Sequence, residues 1–159
     1  METLERSLRE HPFLRDLPEE HVRLLVGCAK NTRFAPGDLL FREGEDEATF
    51  YLLRTGTVAL EVHHPGRAAH CIETLGPGDV LGVSWIFGGT PGTAGGQVPP
   101  VTLDARARDN VLAFSLDGAC LREKMDKDDR LGHLLTRRLL ERVYVRLARM
   151  RLTALDLYG

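Results

Sequence analysis

The sequence predicts a mainly β protein, a jelly-roll β-barrel, with helices at its N-terminus and one long helix at its C-terminus. Three observations predict it. Between Thr32 and Leu116, short apolar runs of period two are separated by Gly- and Pro-bearing turns. On either side of that stretch, apolar residues recur at three- and four-residue spacing instead. The last helical pattern runs from about Arg130 to Leu157, far longer than any strand. Many short, evenly spaced strands imply a sandwich or barrel.

Length and composition fit one domain. The 159 residues are 43% hydrophobic and 28% charged, enough for one full core and an ordinary polar surface. The expected layout is a single domain over residues 1–159, with N-terminal helices over 1–31, the barrel over 32–116 and C-terminal helices over 117–159. No run of 18 apolar residues exists, so no membrane-spanning helix is expected. The first ten residues are charged and lack the apolar segment of a secretory signal, which points to a cytoplasmic protein. The three cysteines, Cys28, Cys71 and Cys120, are an odd number without a C-x-x-C spacing. That argues against a disulfide framework, a zinc site or an iron–sulfur site, and predicts reduced, buried thiols.

The elements follow in order. Pro18 suits a helix start, where its missing N–H costs nothing, and Leu24, Leu25, Val26 and Cys28 give that helix an apolar face ending near Lys30. Phe34–Gly37 signals a turn, Leu39–Phe41 a short strand, and Arg42–Glu47 a charged turn. Phe50–Leu53 reads as a strand, and Val58, Leu60 and Val62 alternate as a half-buried one. His63–Arg67 forms a hairpin tip from which His70–Leu75 returns. Gly76–Gly78 turns again, and Val111–Leu116 is the last strand. Gly88–Pro100, with five Gly and three Pro, is expected to be a mobile loop. Asp117 can cap a helix over Gly118–Met125, and Asp126–Asp129 breaks it from the long one.

The long helix carries two apolar stripes. Leu131, Leu135 and Leu139 recur every four residues and suit packing on the barrel. Leu140, Val143, Leu147, Met150, Ala154 and Leu157 alternate three and four, as in a coiled-coil seam, and predict a homodimer. The alternative is a single helix burying both stripes on its own domain. Charge is also uneven. Residues 130–159 hold seven Arg against Glu141 and Asp156, a balance of +5, while the rest holds 14 basic and 21 acidic residues, a balance of −7. Such a basic element can meet nucleic acid, an acidic partner or the acidic body of the same protein. Arg138, Arg142 and Arg146 share one helix face, and a paired or solvated stripe is the default expectation.

Enzyme chemistry finds little support. His63, His64, His70 and Cys71 flank one hairpin tip, but neighbours on a strand face opposite sides, so a compact metal site is not expected. No His-x-His of a metal-binding jelly-roll enzyme occurs, and no Ser-His-Asp or Cys-His nucleophile stands out. The expectation is that the protein is not an enzyme.

Pro36-Gly37, Gly44, Phe50-Tyr51-Leu52, Gly56, Val58, the run Gly76-Pro-Gly-Asp-Val-Leu-Gly82 and Ala105-Arg106-Ala107 together carry a resemblance. Over about residues 11–157 the chain resembles the cyclic-nucleotide-binding domain of bacterial catabolite-activator-type regulators. The resemblance implies a ligand cassette between Gly82 and Ala105, with Gly82, Val83, Ser84, Trp85, Val101 and Thr102 as its ligand-facing residues. It also implies a role in signal transduction and an effector that is a cyclic nucleotide or another small molecule. In such a cassette a short helix offers amides to the phosphate, an arginine pairs its oxygens, and a glutamate accepts from the ribose. Here those two charged positions hold Val83 and Val101. Loss of a charge-assisted arginine contact alone costs roughly 1.5–3 kcal/mol, so weak or altered ligand specificity is expected. Trp85 can stack on a ligand ring or lie in the core. Arg106 occupies a position that is structural in the family.

These regulators continue past the long helix into a helix-turn-helix, whereas this sequence stops at Gly159. The expectation is therefore a stand-alone sensor module with no DNA-reading element. The alternative is a degenerate barrel that docks on a protein partner without binding nucleotide.

Overall fold

The computed structural model describes residues 3–45, 48–87 and 103–158, the side chains of the last three excepted. Two helices, α1 (Leu4–Glu10) and α2 (Glu19–Val26), precede β1 (Ala29–Phe34), β2 (Leu39–Phe41), β3 (Thr49–Thr55), β4 (Val58–Val62), β5 (His70–Leu75) and β6 (Val80–Leu81). A short 3-10 helix, Ser84–Phe87, follows β6. The chain then forms β7 (Asp104–Ala107), β8 (Val111–Asp117), α3 (Gly118–Lys127) and α4 (Asp129–Tyr158).

The strands form two antiparallel four-stranded sheets, ordered β1-β8-β3-β6 and β2-β7-β4-β5. Leu53, Val58, Leu60, Leu75, Leu81 and Val111 meet in one aliphatic core at the barrel interior. Phe50, Leu52, Phe114 and Leu116 leave the opposite face of β3 and β8 and join a second core under the helices. Burial on both faces explains why Phe50–Leu53 and Val111–Leu116 read as continuous apolar runs rather than alternating ones. Within the helical core lie Leu131, Leu135 and Leu139, as their four-residue spacing predicts.

Several expectations need correction. β1 begins at Ala29, not Thr32, and pairs with β8 from Ala29↔Leu116 to Phe34↔Val111. It is an edge strand with exposed Lys30, Asn31 and Arg33, so its ladder left no apolar alternation to read. In β4, Ala59 is buried along with Val58 and Leu60, while Val62 is only half-buried. Ala59 stands opposite Arg106 in the ladder, and the Arg106 Nε pairs with Glu61 Oε1. The break before α4 narrows to Asp128, which ends α3 and whose Oδ1 accepts from Leu131 N at 3.1 Å. Asp117 does cap α3, accepting from Ala119 N.

The cysteine expectation is overturned for two of the three. Cys28 and Cys120 form a disulfide across 92 residues of sequence, with Cα atoms 5.6 Å apart. The β1–β8 ladder creates this proximity, because Asp117 N donates to Cys28 O at 3.0 Å at its end. Only Cys71 among the three keeps a free thiol, and it is half-buried rather than buried.

Candidate functional site: a cassette with its frame kept

The turn leading into the cassette is tightly bonded. Asp79 Oδ2 accepts from Gly76 N at 2.8 Å, and Asp79 N donates to Gly76 O at 3.0 Å. Gly78 N donates to Leu53 O at 2.9 Å, and Leu53 N donates to Asp79 O at 2.9 Å. Leu53 O takes a second bond from His11 Nε2 at 2.9 Å, while His11 Nδ1 accepts from Phe13 N at 3.1 Å. These partners fix a neutral imidazole protonated on Nε2. Burial pushes its pKa below the usual histidine range. The bond to the Leu53 carbonyl opposes this, and the charges of Arg142 and Arg54 add to it. Arg142 Nη1 in turn donates to Gly78 O at 2.9 Å, so one arginine of α4 touches the turn itself.

After β6, Gly82 adopts φ +79°, a left-handed conformation that costs glycine least. The 3-10 helix then starts at Ser84. Trp85 turns inward and is only 1% exposed, against Phe50 at a centroid distance of 5.4 Å. Its indole Nε1 has no hydrogen-bond partner among the described residues. Val83 and Ile86 also pack against the helical core. α3 holds the helix from behind. A Cβ at Gly118 would lie 2.7 Å from Trp85 Cβ and 2.8 Å from Ala48 O, so only glycine fits there. Arg122 Nη1 donates to Trp85 O.

On the leaving side, Ala105 and Ala107 face the barrel core and Arg106 faces out. Arg106 Nε pairs with Glu61 Oε1 at 2.8 Å and Nη1 donates to Gly37 O at 2.9 Å. This arginine is committed to the scaffold. Asp104 Oδ1 accepts from Glu43 N at 2.7 Å, and its Oδ2 lies 2.7 Å from His63 Nε2. No group of three or more metal-type side chains converges among the described residues.

Of the ligand-facing residues expected from sequence, Gly82, Val83, Ser84 and Trp85 lie together at the end of β6 and on the 3-10 helix. Val101, Thr102 and the Gly88–Pro100 loop lie outside the described residues. Sequence reasoning missed His11, Arg122 and Glu61 as supports of this site. It singled out Arg138, Arg142 and Arg146 as a stripe but not their acceptors. Arg138 donates to Phe13 O at 2.7 Å, and Arg146 grips Glu73 through Nε and Nη2 at 3.2 and 3.0 Å. The stripe is therefore paired within the chain.

The frame therefore consists of a glycine turn, a left-handed glycine, a short helix and a small-residue strand. The model of the cyclic nucleotide-binding domain family matches residues 31–128. The chain belongs to the cyclic nucleotide-binding domain family. It is 30% identical over 115 residues to human cGMP-dependent protein kinase 2, a match covering 72% of this chain and 13% of that kinase. A cyclic nucleotide-binding domain from Methylobacillus flagellatus KT shares the fold with a TM-score of 0.77 at 18% identity, covering 96% of this chain and 83% of that one. The N-terminal domain of a transcriptional regulator from Streptomyces coelicolor A3(2) shares it with a TM-score of 0.67 at 22% identity, covering 90% and 94%. The expected family and jelly-roll fold are thus those found. No helix among the described residues is long and apolar enough to cross a membrane.

Proposed function

We propose that the chain is a cytoplasmic, non-enzymatic regulatory module of this family whose cassette binds its effector with weakened or altered specificity. It works as a homodimer through α4. The observation that carries the reading is the contrast between frame and grip. Gly82 keeps the left-handed turn that launches the 3-10 helix. Val83, next in the chain, offers no acceptor to a sugar hydroxyl, and Arg106 is committed to Glu61. A ligand seated on Gly82 and Ser84 would meet amides and a hydroxyl rather than charges. Such a site suits a less charged effector better than a cyclic phosphate.

The second reading is a barrel that has lost its ligand and docks on a protein. The inward packing of Val83, Trp85 and Ile86 favours it, because that side of the cassette helix is filled by its own core.

Thermal unfolding with cyclic AMP and cyclic GMP tests the proposal. A ligand at 100 times its Kd stabilises by about 2.7 kcal/mol, several degrees for a chain of this size. The wild type should not shift at micromolar nucleotide, and the double variant Val83→Glu, Val101→Arg should. A wild-type shift at micromolar nucleotide contradicts the weakened grip. A flat double variant at millimolar nucleotide moves the weight to the docking reading.

A further inference from the structure

We infer that the Cys28–Cys120 disulfide is a reversible thiol–disulfide exchange site that sets how firmly the cassette helix is held. The bond joins the start of β1 to the first turn of α3. That turn carries both contacts to the cassette helix. Gly118 lies two residues before Cys120 and seats the Trp85 side chain, and Arg122 lies two residues after it and holds the Trp85 carbonyl. Oxidation fastens this turn covalently to the start of β1, and reduction leaves it held by the Asp117–Cys28 backbone bond and by the packing of Leu121 and Met125 in the helical core.

The geometry favours reversibility. Asp117 N donates to Cys28 O, and Ala29 pairs with Leu116, so the ladder holds both cysteines close without the disulfide. Opening the bond therefore requires no unfolding, and closing it requires no search. Cys28 is buried, whereas Cys120 is half-buried, so Cys120 is the more accessible residue of the pair. A glutathione thiolate attacks Cys120 Sγ, the S–S bond breaks, and Cys28 leaves as a thiolate that takes a proton from water. A second glutathione thiolate then attacks the glutathione sulfur of the mixed disulfide. Cys120 leaves as a thiolate that takes a proton from water, and oxidised glutathione forms, so two electrons pass from two glutathiones to the protein. The regulatory consequence rests on the cassette reading above, whereas the exchange chemistry does not. In a reducing compartment, a disulfide that forms and opens is the redox-sensing kind.

Trp85 is the sole tryptophan of the chain and sits on the element in question. The test equilibrates the full chain, without nucleotide, in glutathione buffers of graded reduced-to-oxidised ratio. Free thiols are counted by alkylation and mass spectrometry, and acrylamide quenching of Trp85 is read in parallel. The thiol count should rise from one to three within the series, and quenching should rise with it. Cys120→Ser should quench like the reduced protein at every ratio, and Cys71→Ser should leave the transition in place. A count fixed at one across the series overturns the proposal, since the bond is then a permanent staple. A titrating count with flat Trp85 quenching also overturns it. If Cys120→Ser does not fold, the wild-type and Cys71→Ser series still decide the question. Because no nucleotide is present, failure of the effector reading leaves this result untouched.

Discussion

The two halves of α4 are held to the same body by opposite chemistry. In the near half, Leu131, Leu135 and Leu139 are at most 5% exposed and sit in the helical core. Further along the same face, at three- and four-residue steps, stand Arg138, Arg142 and Arg146. They reach back to Phe13 O, Gly78 O and Glu73, so from Arg138 to Arg146 the helix is held by hydrogen bonds and an ion pair. The apolar residues of the far half lie roughly a third of a turn round the helix and point away from the body. Leu140 and Tyr144 are each 67% exposed. A 30-residue helix is about 45 Å long, more than a small barrel can cover. Its sequence therefore switches the face that meets the barrel from leucine to arginine and leaves an apolar seam for something else. One of the same arginines, Arg142, bonds the turn leading into the cassette.

Truncating one leucine from each half tests that contrast most strongly. Leu135→Ala removes a fully packed side chain and should cost about 2–5 kcal/mol in urea unfolding. Leu152→Ala, exposed and off the seam, should stay within about 0.5 kcal/mol of wild type. Equal losses would erase the distinction between the halves. A smaller effect is expected for Arg146→Ala. Its pair with Glu73 is bidentate but partly solvated, with side chains 23% and 14% exposed. Removal should cost roughly 1–2 kcal/mol, with the loss shrinking in high salt. A neutral Arg146→Ala would mean that Arg138 and Arg142 alone hold this stretch of the helix.

Much of this fold was legible because its signals are local. The glycine turns at Gly37, Gly56 and Gly78 and the period-two runs between them are read within a few residues, and all three glycines adopt positive φ. The stripe of Leu131, Leu135 and Leu139 needs only helical spacing to be placed in a core. What escaped was non-local or carried by the backbone. The Cys28–Cys120 bond spans 92 residues and follows from a β1–β8 ladder whose edge strand is too polar to announce itself. The acceptors of Arg138 and Arg142 are main-chain carbonyls, which every residue has, so no side chain in the sequence marks them. At the cassette, Gly82 was readable because a left-handed turn asks for glycine. Of the two readings of Trp85, ligand stacking or core, the core one holds, but the room made for it by Gly118 on a different element left no mark in the sequence.

The proposed homodimer requires the seam of α4 to meet a second copy, and that is the claim to test most directly. Light scattering on the size-exclusion peak, at micromolar concentration, should give twice the 17.7 kDa chain mass for the wild type. The double variant Leu140→Glu, Leu147→Glu puts charges on the exposed seam and away from the leucine core, and it should elute as a folded monomer. A monomeric wild type, or a double variant that stays dimeric, would contradict the account.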